Sequence, residues 1–578
     1  MRPKSLILKD AQKTFSHDQD KIITPAETIQ RFKDRLAITG LQILDDIVRI
    51  DSGRLDIPVY FSICGPQARA AIGNYKQMGK GATPEQAQAS AVMELGERFS
   101  LFSFYGNKAN FVFAPLSDLN EPALAFDTIA QSVDDASQDR EIAQQFFNQL
   151  PLQWTWAHSL TRGDTIMIPF NWFWTINQFN GSCAGNGIEE ALCQGISEVV
   201  ERHVSSVISH QKRRVPLINP DTIQDPVVRE LIGKYRANGI ELILSDFTLD
   251  MGIPSVGALA WDPATFPDRS EIVWTAGTMP SAAKAMCRAL TEVAQLAGDF
   301  NSGGNYEASG LPKFRSLDEA RYVTEPGISV DITDLPNLGN DNIKIEVENC
   351  VEALAARNMD VLVVDVTHPD LAAPAFYTII PGTHFRERAP NASVGMIVSK
   401  IITETYSPGP AVNALKEFDA QLPNKYYIQF YLGQIHLNQG NIESAAKHLT
   451  RATELEPPAE DLASIYTYLG VCHKESEQFQ TALSVLEKAD HIDSERTDTL
   501  NLMGFCHYKL QDHARAIDCF EKLIALDPSS AIDYANIASN YRAMGKNTKA
   551  IEYYQLALKL DDSIEFAKEH LAQMGVNQ

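Results

Sequence analysis

AQASAVMELGER, residues 87–98, is the first of three stretches that share one pattern; the others are ALCQGISEVVER, residues 191–202, and AMCRALTEVAQ, residues 285–295. In each, an Ala is followed seven residues later by a Glu and three after that by a Glu or Gln, giving Glu94/Glu97, Glu198/Glu201 and Glu292/Gln295. On a helix, that spacing puts both acceptors of a pair on one face, with the Ala two turns back under the same stripe. Three such faces brought together hold five carboxylates and an amide, a density of anions that requires cations to neutralise it. Oxygen-only clusters of this kind suit Mg²⁺, which sits between carboxylates and substrate phosphates, so a nucleotide-dependent enzyme is expected.

The first two stretches extend beyond their acids. At an offset of 104 residues, Gly81/Gly185, Glu85/Glu189, Ala87/Ala191, Glu94/Glu198, Glu97/Glu201 and Arg98/Arg202 coincide. The repetition predicts two structural halves that build one site. A single E-x-x-E-R helix is ordinarily a solvated face, but these helices are otherwise apolar (Val92, Leu95; Leu192, Ile196, Val199, Val200), which places the acids near buried surface. Arg98, Arg202 and Arg288 read equally as clamps on those carboxylates or as phosphate ligands. The segment from Gly73 through Gly79, Lys80 and Gly81 to Thr83 resembles a P-loop only superficially. Its glycine gap is one residue too long, and Gly81 stands where the hydroxyl residue belongs. Its glycines are expected to form a turn with outward N–H groups, and Lys80 to be a loop lysine.

Around these motifs the chain reads as mixed α/β. Thr24-Pro25-Ala26-Glu27 is a capping box opening a helix, and Ile57–Phe61 a strand. Runs at 240–244, 256–261, 361–366 and 376–381 read as strands, and 281–299 and 346–357 as helices. Trp172, Phe173 and Trp174 read as core, His203 and His384 as satisfied structural residues, and 303–340 as a surface loop or lid. Residues 406–424 read as a linker. Beyond it, Gly433, Gly470, Gly504 and Ala538 recur at spacings of 37, 34 and 34, each with an Ala twelve residues on, and Pro457 and Pro528 close two of the repeats. That is the pattern of four tetratricopeptide helix pairs, which stack into an all-α solenoid. From Lys425 onward 14 Lys/Arg face 22 Asp/Glu, so the groove is expected to suit a basic partner.

A chain of 578 residues needs at least two domains. The divisions expected are 1–405, a linker at 406–424 and repeats at 425–578. A formal net charge of −24 argues against nucleic acid or a membrane surface as partner. The absence of a long apolar run argues against secretion or spanning and predicts a cytoplasmic protein. Eight scattered Cys without C-x-x-C, and thirteen His without ligand spacing, predict reduced core thiols and no zinc.

Over residues 15–400 the sequence resembles the YcaO superfamily. The motifs that carry it run from Gly79 through Ser90 to Glu94-x-x-Glu97-Arg98, from Asn180 through Asn186 and Glu190 to Glu198-x-x-Glu201-Arg202, and from Arg288 to Glu292-x-x-Gln295. The resemblance implies an ATP- and Mg²⁺-dependent enzyme acting on a peptide amide. A nucleophile adds to the carbonyl, ATP phosphorylates the oxyanion, and phosphate leaves. It further implies that Glu94, Glu97, Glu198, Glu201 and Glu292 cage Mg²⁺ and that Ser90, Asn186, Arg202, Arg288 and Gln295 contact nucleotide. Lys21 and Thr28 fit the spacing of two further nucleotide contacts. Azoline-forming members end in a Pro-rich tail that reaches the site, whereas this sequence ends Gln-Met-Gly-Val-Asn-Gln. The resemblance therefore favours thioamide formation on a peptide or protein substrate with a sulfur-donating partner protein. An azoline-forming cyclodehydratase is the alternative, as is a role like that of the accessory factor for ribosomal-protein methylthiolation. The repeats would dock substrate or partner, a homodimer is left open, and the rival of another class is a non-catalytic ATP-binding adaptor.

Overall fold

The computed structural model describes residues 3, 6–133, 135, 137, 139–297, 300, 311, 313–385, 392–527 and 530–576. Two compact units emerge, one of residues 1–136 and 147–392, the other of residues 137–146 and 393–578.

The strands of the first unit are β1 (Leu44–Arg49), β2 (Val59–Cys64), β3 (Lys76–Lys80), β4 (Val112–Ala114), β5 (Leu152–Ser159), β6 (Thr165–Pro169), β7 (Ser182–Ala184), β8 (Leu217–Ile218), β9 (Glu241–Asp246), β10 (Ser255–Trp261), β11 (Val273–Thr278), β12 (Ser329–Val330), β13 (Leu362–Asp365) and β14 (Ala375–Ile379). They form three sheets, ordered β1-β2-β3, β4-β5-β13-β14-β7 with β6 beside β5, and β11-β10-β9-β8-β12. All pairings are antiparallel except β8 with β12. Three edge strands, β3, β7 and β11, each run into an acidic helix. These are Pro84–Gly106, Ile188–Gln211 and Ala282–Ala297. Their apolar faces enter three different hydrophobic clusters, through Val92 and Leu95, Ile196 and Val200, and Leu290 and Val293 respectively.

The strands and helices meet unusually closely. A Cβ on Gly79 would lie 2.1 Å from Ala91 N and 2.4 Å from Ala87 O. One on Gly277 would lie 2.2 Å from Ala285 O and 2.6 Å from Ala289 N. In the second unit of the pattern the strand residue is Cys183, and the missing side chain is on the helix instead: a Cβ on Gly195 would lie 2.6 Å from Cys183 Sγ. Gly79 is thus an interior residue of β3 paired with Tyr60, and not part of an outward-facing turn as the sequence suggested. Its task is steric.

Elsewhere the local rules hold. The helix Pro25–Thr39 opens on the reciprocal Thr24/Glu27 capping box and ends at Gly40, which takes the left-handed φ of 73° that glycine accepts without strain. Trp172 and Phe173 are buried, while half-buried Trp174 stacks on Tyr105 at 4.5 Å. His384 N–H donates to His203 Nδ1 at 3.0 Å. The lid expected at 303–340 lies partly outside the described residues, and its described part contradicts that reading. Phe314, Ala320 and Val323 are buried in the core and β12 pairs with β8, because apolar residues among the Gly, Asp and Asn anchor the segment.

The second unit contains four helix pairs. They are Tyr426–Asn438 with Ile442–Thr453, Ala459–Glu475 with Phe479–Ile492, Thr497–Lys509 with His513–Leu526, and Ala531–Ala543 with Asn547–Leu560; Glu565–Gln573 follows. The periodic glycines again make room. Cβ atoms on Gly433, Gly470 and Gly504 would come within 2.7, 2.4 and 2.7 Å of Leu449, Leu486 and Phe520. Pro528 lies outside the described residues. The linker expected at 406–424 is instead the helix Pro408–Gln421, which buries Ala411, Leu415 and Phe418. Its Pro-Gly-Pro opening is a helix start, with Ser407 at the cap and Pro408 at the first position, a setting in which a missing N–H costs nothing. Among the described residues no helix is long and apolar enough to cross a membrane.

Replacing Gly277 by Ala should lower stability by about 2–3 kcal/mol through overpacking. Gly233→Ala, mid-helix with nothing within 4 Å of the new Cβ, should instead be neutral or stabilising by up to about 1 kcal/mol. Thermal denaturation of the two variants tests the contrast.

Candidate active site

Faces of the three acidic helices, the ends of β3 and β7, and the arm leading into Pro25 surround a cavity of 220 Å³. It is lined by Glu94, Glu97, Glu198, Glu292, Ser90, Asn186, Arg202, Arg288, Gln295, Lys21 and Thr28. Of the twelve residues expected to form the site, Glu201 alone stands outside the lining, fully enclosed behind it. There it accepts from Arg288 Nε at 2.7 Å and from Thr278 N–H at 3.1 Å. It thereby ties the second acidic helix to the third and to β11.

Glu292 and Glu97 have close counter-groups, and Glu94 lies 3.8 Å from Arg98. Glu292 pairs with Lys80 Nζ at 2.5 Å. Glu97 accepts from Ser182 Oγ at 2.5 Å and lies 3.4 Å from Arg98, whose guanidinium also donates to Ser182 Oγ and packs 4.4 Å from the centroid of the Phe179 ring. Lys80 is therefore a cavity residue rather than a loop lysine. Glu190 was also missed. It accepts from Asn186 Nδ2 at 2.9 Å and Ile22 N–H at 3.2 Å, and pairs with Lys21 Nζ at 3.3 Å. This buried carboxylate fastens the arm to the second helix. The arm is held further along by Asp18, which accepts from Ala82 N–H at 2.7 Å, and by Lys284 Nζ, which donates to Ser16 O at 2.8 Å.

Five cationic side chains (Lys21, Lys80, Arg98, Arg202, Arg288) and five carboxylates (Glu94, Glu97, Glu190, Glu198, Glu292) line the cavity. Their fields are uneven. Desolvation pushes Glu97 up to about 8, with the Glu198 and Glu94 charges adding to it against Arg98. Desolvation likewise raises Glu201 against the pull of Arg288. At Glu292 desolvation is outweighed by Lys80, Arg202 and Arg288 together, which hold its carboxyl below the usual range. Desolvation works against the charge of Arg288, but Glu201, Glu292 and Glu198 together hold it more firmly protonated than usual. Among the described residues no three His, Cys, Asp or Glu side chains converge closely enough to hold one ion as they stand. Glu292 is met instead by Lys80, and Glu97 by Arg98 and Ser182.

Residues 78–384 match the family model described as YcaO cyclodehydratase, ATP- and Mg²⁺-binding. The chain belongs to the YcaO family. Residues 427–458 and 495–563 match tetratricopeptide repeat models, so a YcaO domain is followed by a repeat region. An uncharacterized protein of Methanothermobacter thermautotrophicus is 28% identical over 383 residues, 62% of this chain and 94% of that one. The ribosomal protein S12 methylthiotransferase accessory factor YcaO of Escherichia coli is 26% identical over 47% of this YcaO chain and 48% of its own. Two solved structures share the fold. YcaO from Methanopyrus kandleri bound with AMPPCP and Mg²⁺ has a TM-score of 0.50 at 23% identity, over 64% of this chain and 94% of that one. A heterocyclase in complex with substrate and cofactor has a TM-score of 0.54 at 22% identity, over 66% of this chain and 55% of that one.

The shift at Glu97 sets a pH signature for the metal-free YcaO protein. A carboxyl that titrates near 8 when folded and near its ordinary value when unfolded binds more protons in the folded state between those limits. Its stabilising contribution is full below the ordinary carboxylate range and is lost as pH rises through about 8. Glu97→Gln, which cannot ionise, should therefore melt higher than the parent at alkaline pH, with the difference shrinking as pH falls and vanishing below the ordinary carboxylate range. Parallel melting curves in chelator measure it.

Proposed function

We propose that this YcaO protein uses ATP and Mg²⁺ to O-phosphorylate a backbone amide of a peptide or protein, for thioamide formation or a related modification. The observation that carries this reading is the one cavity shared by five acidic side chains of the three helices and by Lys21, Lys80, Arg98, Arg202 and Arg288. Phosphates need the cations, and the carboxylates suit a hard divalent ion. The residues fit Mg²⁺ on the ground of charge as well. Glu97 is pushed up to about 8 by desolvation, with Glu198 and Glu94 adding to it, a cost that a divalent cation would reduce. Glu94, Glu97, Glu198 and Glu292 would hold Mg²⁺ directly, with Glu201 in support through Arg288; Ser90, Asn186 and Gln295 would take the rest of the nucleotide. Bound Mg²⁺ supplies neutralisation of phosphate charge during transfer.

In the proposed reaction a nucleophile bonds to the amide carbon, and the oxyanion so formed attacks the γ-phosphorus of ATP. ADP leaves, the carbon–oxygen bond then breaks, and phosphate is released. Arg288 and Arg202 would orient the transferring group, with the guanidinium of Arg288 held by Glu201, which accepts from its Nε. The nucleophile comes from outside this chain. All eight of its cysteines are buried, and burial raises the thiols of Cys64, Cys183, Cys193, Cys287 and Cys350, the five in the first unit. A sulfur donor yields a thioamide; a Cys, Ser or Thr side chain of the substrate yields an azoline.

The test is phosphate release from ATP by the full chain with candidate peptides, with product masses read for exchange of oxygen by sulfur or for loss of water. Glu94→Gln and Glu201→Gln should each reduce turnover by about a thousandfold or more while leaving the melting curve cooperative. If the parent binds ATP, melts higher with it and never hydrolyses it with any substrate, the protein is an adaptor and the reading fails.

A further inference from the structure

Lys80 is the last residue of β3, one place after Gly79, whose missing side chain lets the strand lie against the first acidic helix. That packing fixes where the Lys80 side chain starts: at a sheet edge, on the wall of the cavity. Its ammonium then crosses to the third acidic helix and meets Glu292 Oε2 at 2.5 Å, with both side chains largely buried. The two residues are 212 apart in sequence, so the fold makes this pair and local geometry does not.

The charges around the pair decide what it can do. Arg202 and Arg288 also act on Glu292, and Glu201, behind the cavity wall, feels Arg288, Arg202 and Lys80. Arg288 is committed, because its Nε donates to Glu201 at 2.7 Å. Lys80 is not tied in that way: among the described residues, Glu292 is the carboxylate within ion-pair distance of it. A lysine also presents one ammonium on a flexible stem, where an arginine presents a rigid fork. Lys80 can therefore leave Glu292 without giving up a second ion pair.

Glu292 is at the same time one of the carboxylates that would hold Mg²⁺. A divalent ion bound to it must share it with an ammonium already in hydrogen-bond contact, and two cations on one carboxylate repel. A nucleotide changes that balance, because its phosphates bring several negative charges into a cavity that Lys80 also lines. We propose that Lys80 and the divalent ion compete for Glu292, and that the nucleotide resolves the competition by drawing the ammonium onto its phosphates. Lys80 is thus a positioning residue that makes the two ligands favour one another: metal alone is held weakly, and metal arriving with phosphate is held well. The inference rests on the ATP and Mg²⁺ reading given above and adds to it a mutual dependence in how the two are loaded.

Binding measurements on the full chain, without peptide, test it. The probes are Mn²⁺ alone, with the free ion counted by electron paramagnetic resonance, and AMPPCP alone, titrated calorimetrically in chelator. Lys80→Met keeps the reach of the side chain and removes its charge. It should tighten Mn²⁺ about tenfold and weaken AMPPCP about tenfold, whereas loss of a merely structural residue would weaken both. Lys80→Arg should leave Mn²⁺ as weak as in the parent or weaker. In a Glu292→Gln background, Lys80→Met should no longer tighten Mn²⁺, because nothing is left to compete for, but should still weaken AMPPCP. Cooperative melting checks the fold of each variant, and Lys80→Gln replaces Lys80→Met if that one fails to melt cooperatively. Mn²⁺ affinity that is unchanged or lower once the ammonium is removed overturns the competition and leaves the ATP reading standing. Tightening that survives in the Glu292→Gln background overturns it too, since the lysine would then act through its charge alone. A parent that binds neither Mn²⁺ nor AMPPCP, separately or together, removes the competition and the reading beneath it.

Discussion

A short steric distance between strand and helix underlies the first unit. Because Gly79 and Gly277 carry no side chain, the helices that follow β3 and β11 lie nearly against them. At β7 the same approach is made with the glycine on the helix side, at Gly195 opposite Cys183. All three strands are sheet edges, so each helix starts where its sheet stops. Acidic side chains of all three helices line one cavity. A bulkier residue at the contact would swing the helix outward and carry its Glu pair with it.

Charge balance makes that convergence tolerable. Burying several carboxylates together is unfavourable unless each is compensated, and here compensation crosses between elements: Arg288 to Glu201, Lys80 to Glu292, Lys21 to Glu190. These links join the arm, β3 and the second and third acidic helices. The first is joined through Glu97, which accepts from Ser182 Oγ of β7 and whose carboxyl is nonetheless pushed up by burial.

Much of this was legible in the chain because the acids, the Ala two turns earlier and the terminal Arg repeat at a fixed offset. Periodicity reports which side chains share a face, and it placed the Glu pairs correctly on helices. Lys80 was not legible. It sits before the helix begins and was judged against a phosphate-loop template that the chain does not follow. The register does contain a signal: Lys80, Ala184 and Thr278 each come one residue after the close-packed strand position, where the first two line the cavity and the third donates its N–H to Glu201 behind it. Glu190 and Gln86, which both line the cavity, likewise share the place one residue before the repeated Ala. The linker and lid readings failed for a common reason. Pro and Gly mark helix starts and buried irregular segments as readily as open loops, and only burial distinguishes them.

The exchange between Gly195 and Cys183 has a consequence for how the three units diverge. The constraint differs from unit to unit: at Gly79 and Gly277 an added Cβ meets helix backbone first, whereas at Gly195 it meets the side chains of Thr378 and Cys183. Cysteine at position 79 would strike the backbone of Ala87 and Ala91, which a glycine at 91 would leave in place, so a residue cannot be transplanted from one unit to the corresponding place in another by itself. Kinship among the three units is carried by where the close contact falls, and a comparison made one column at a time understates it.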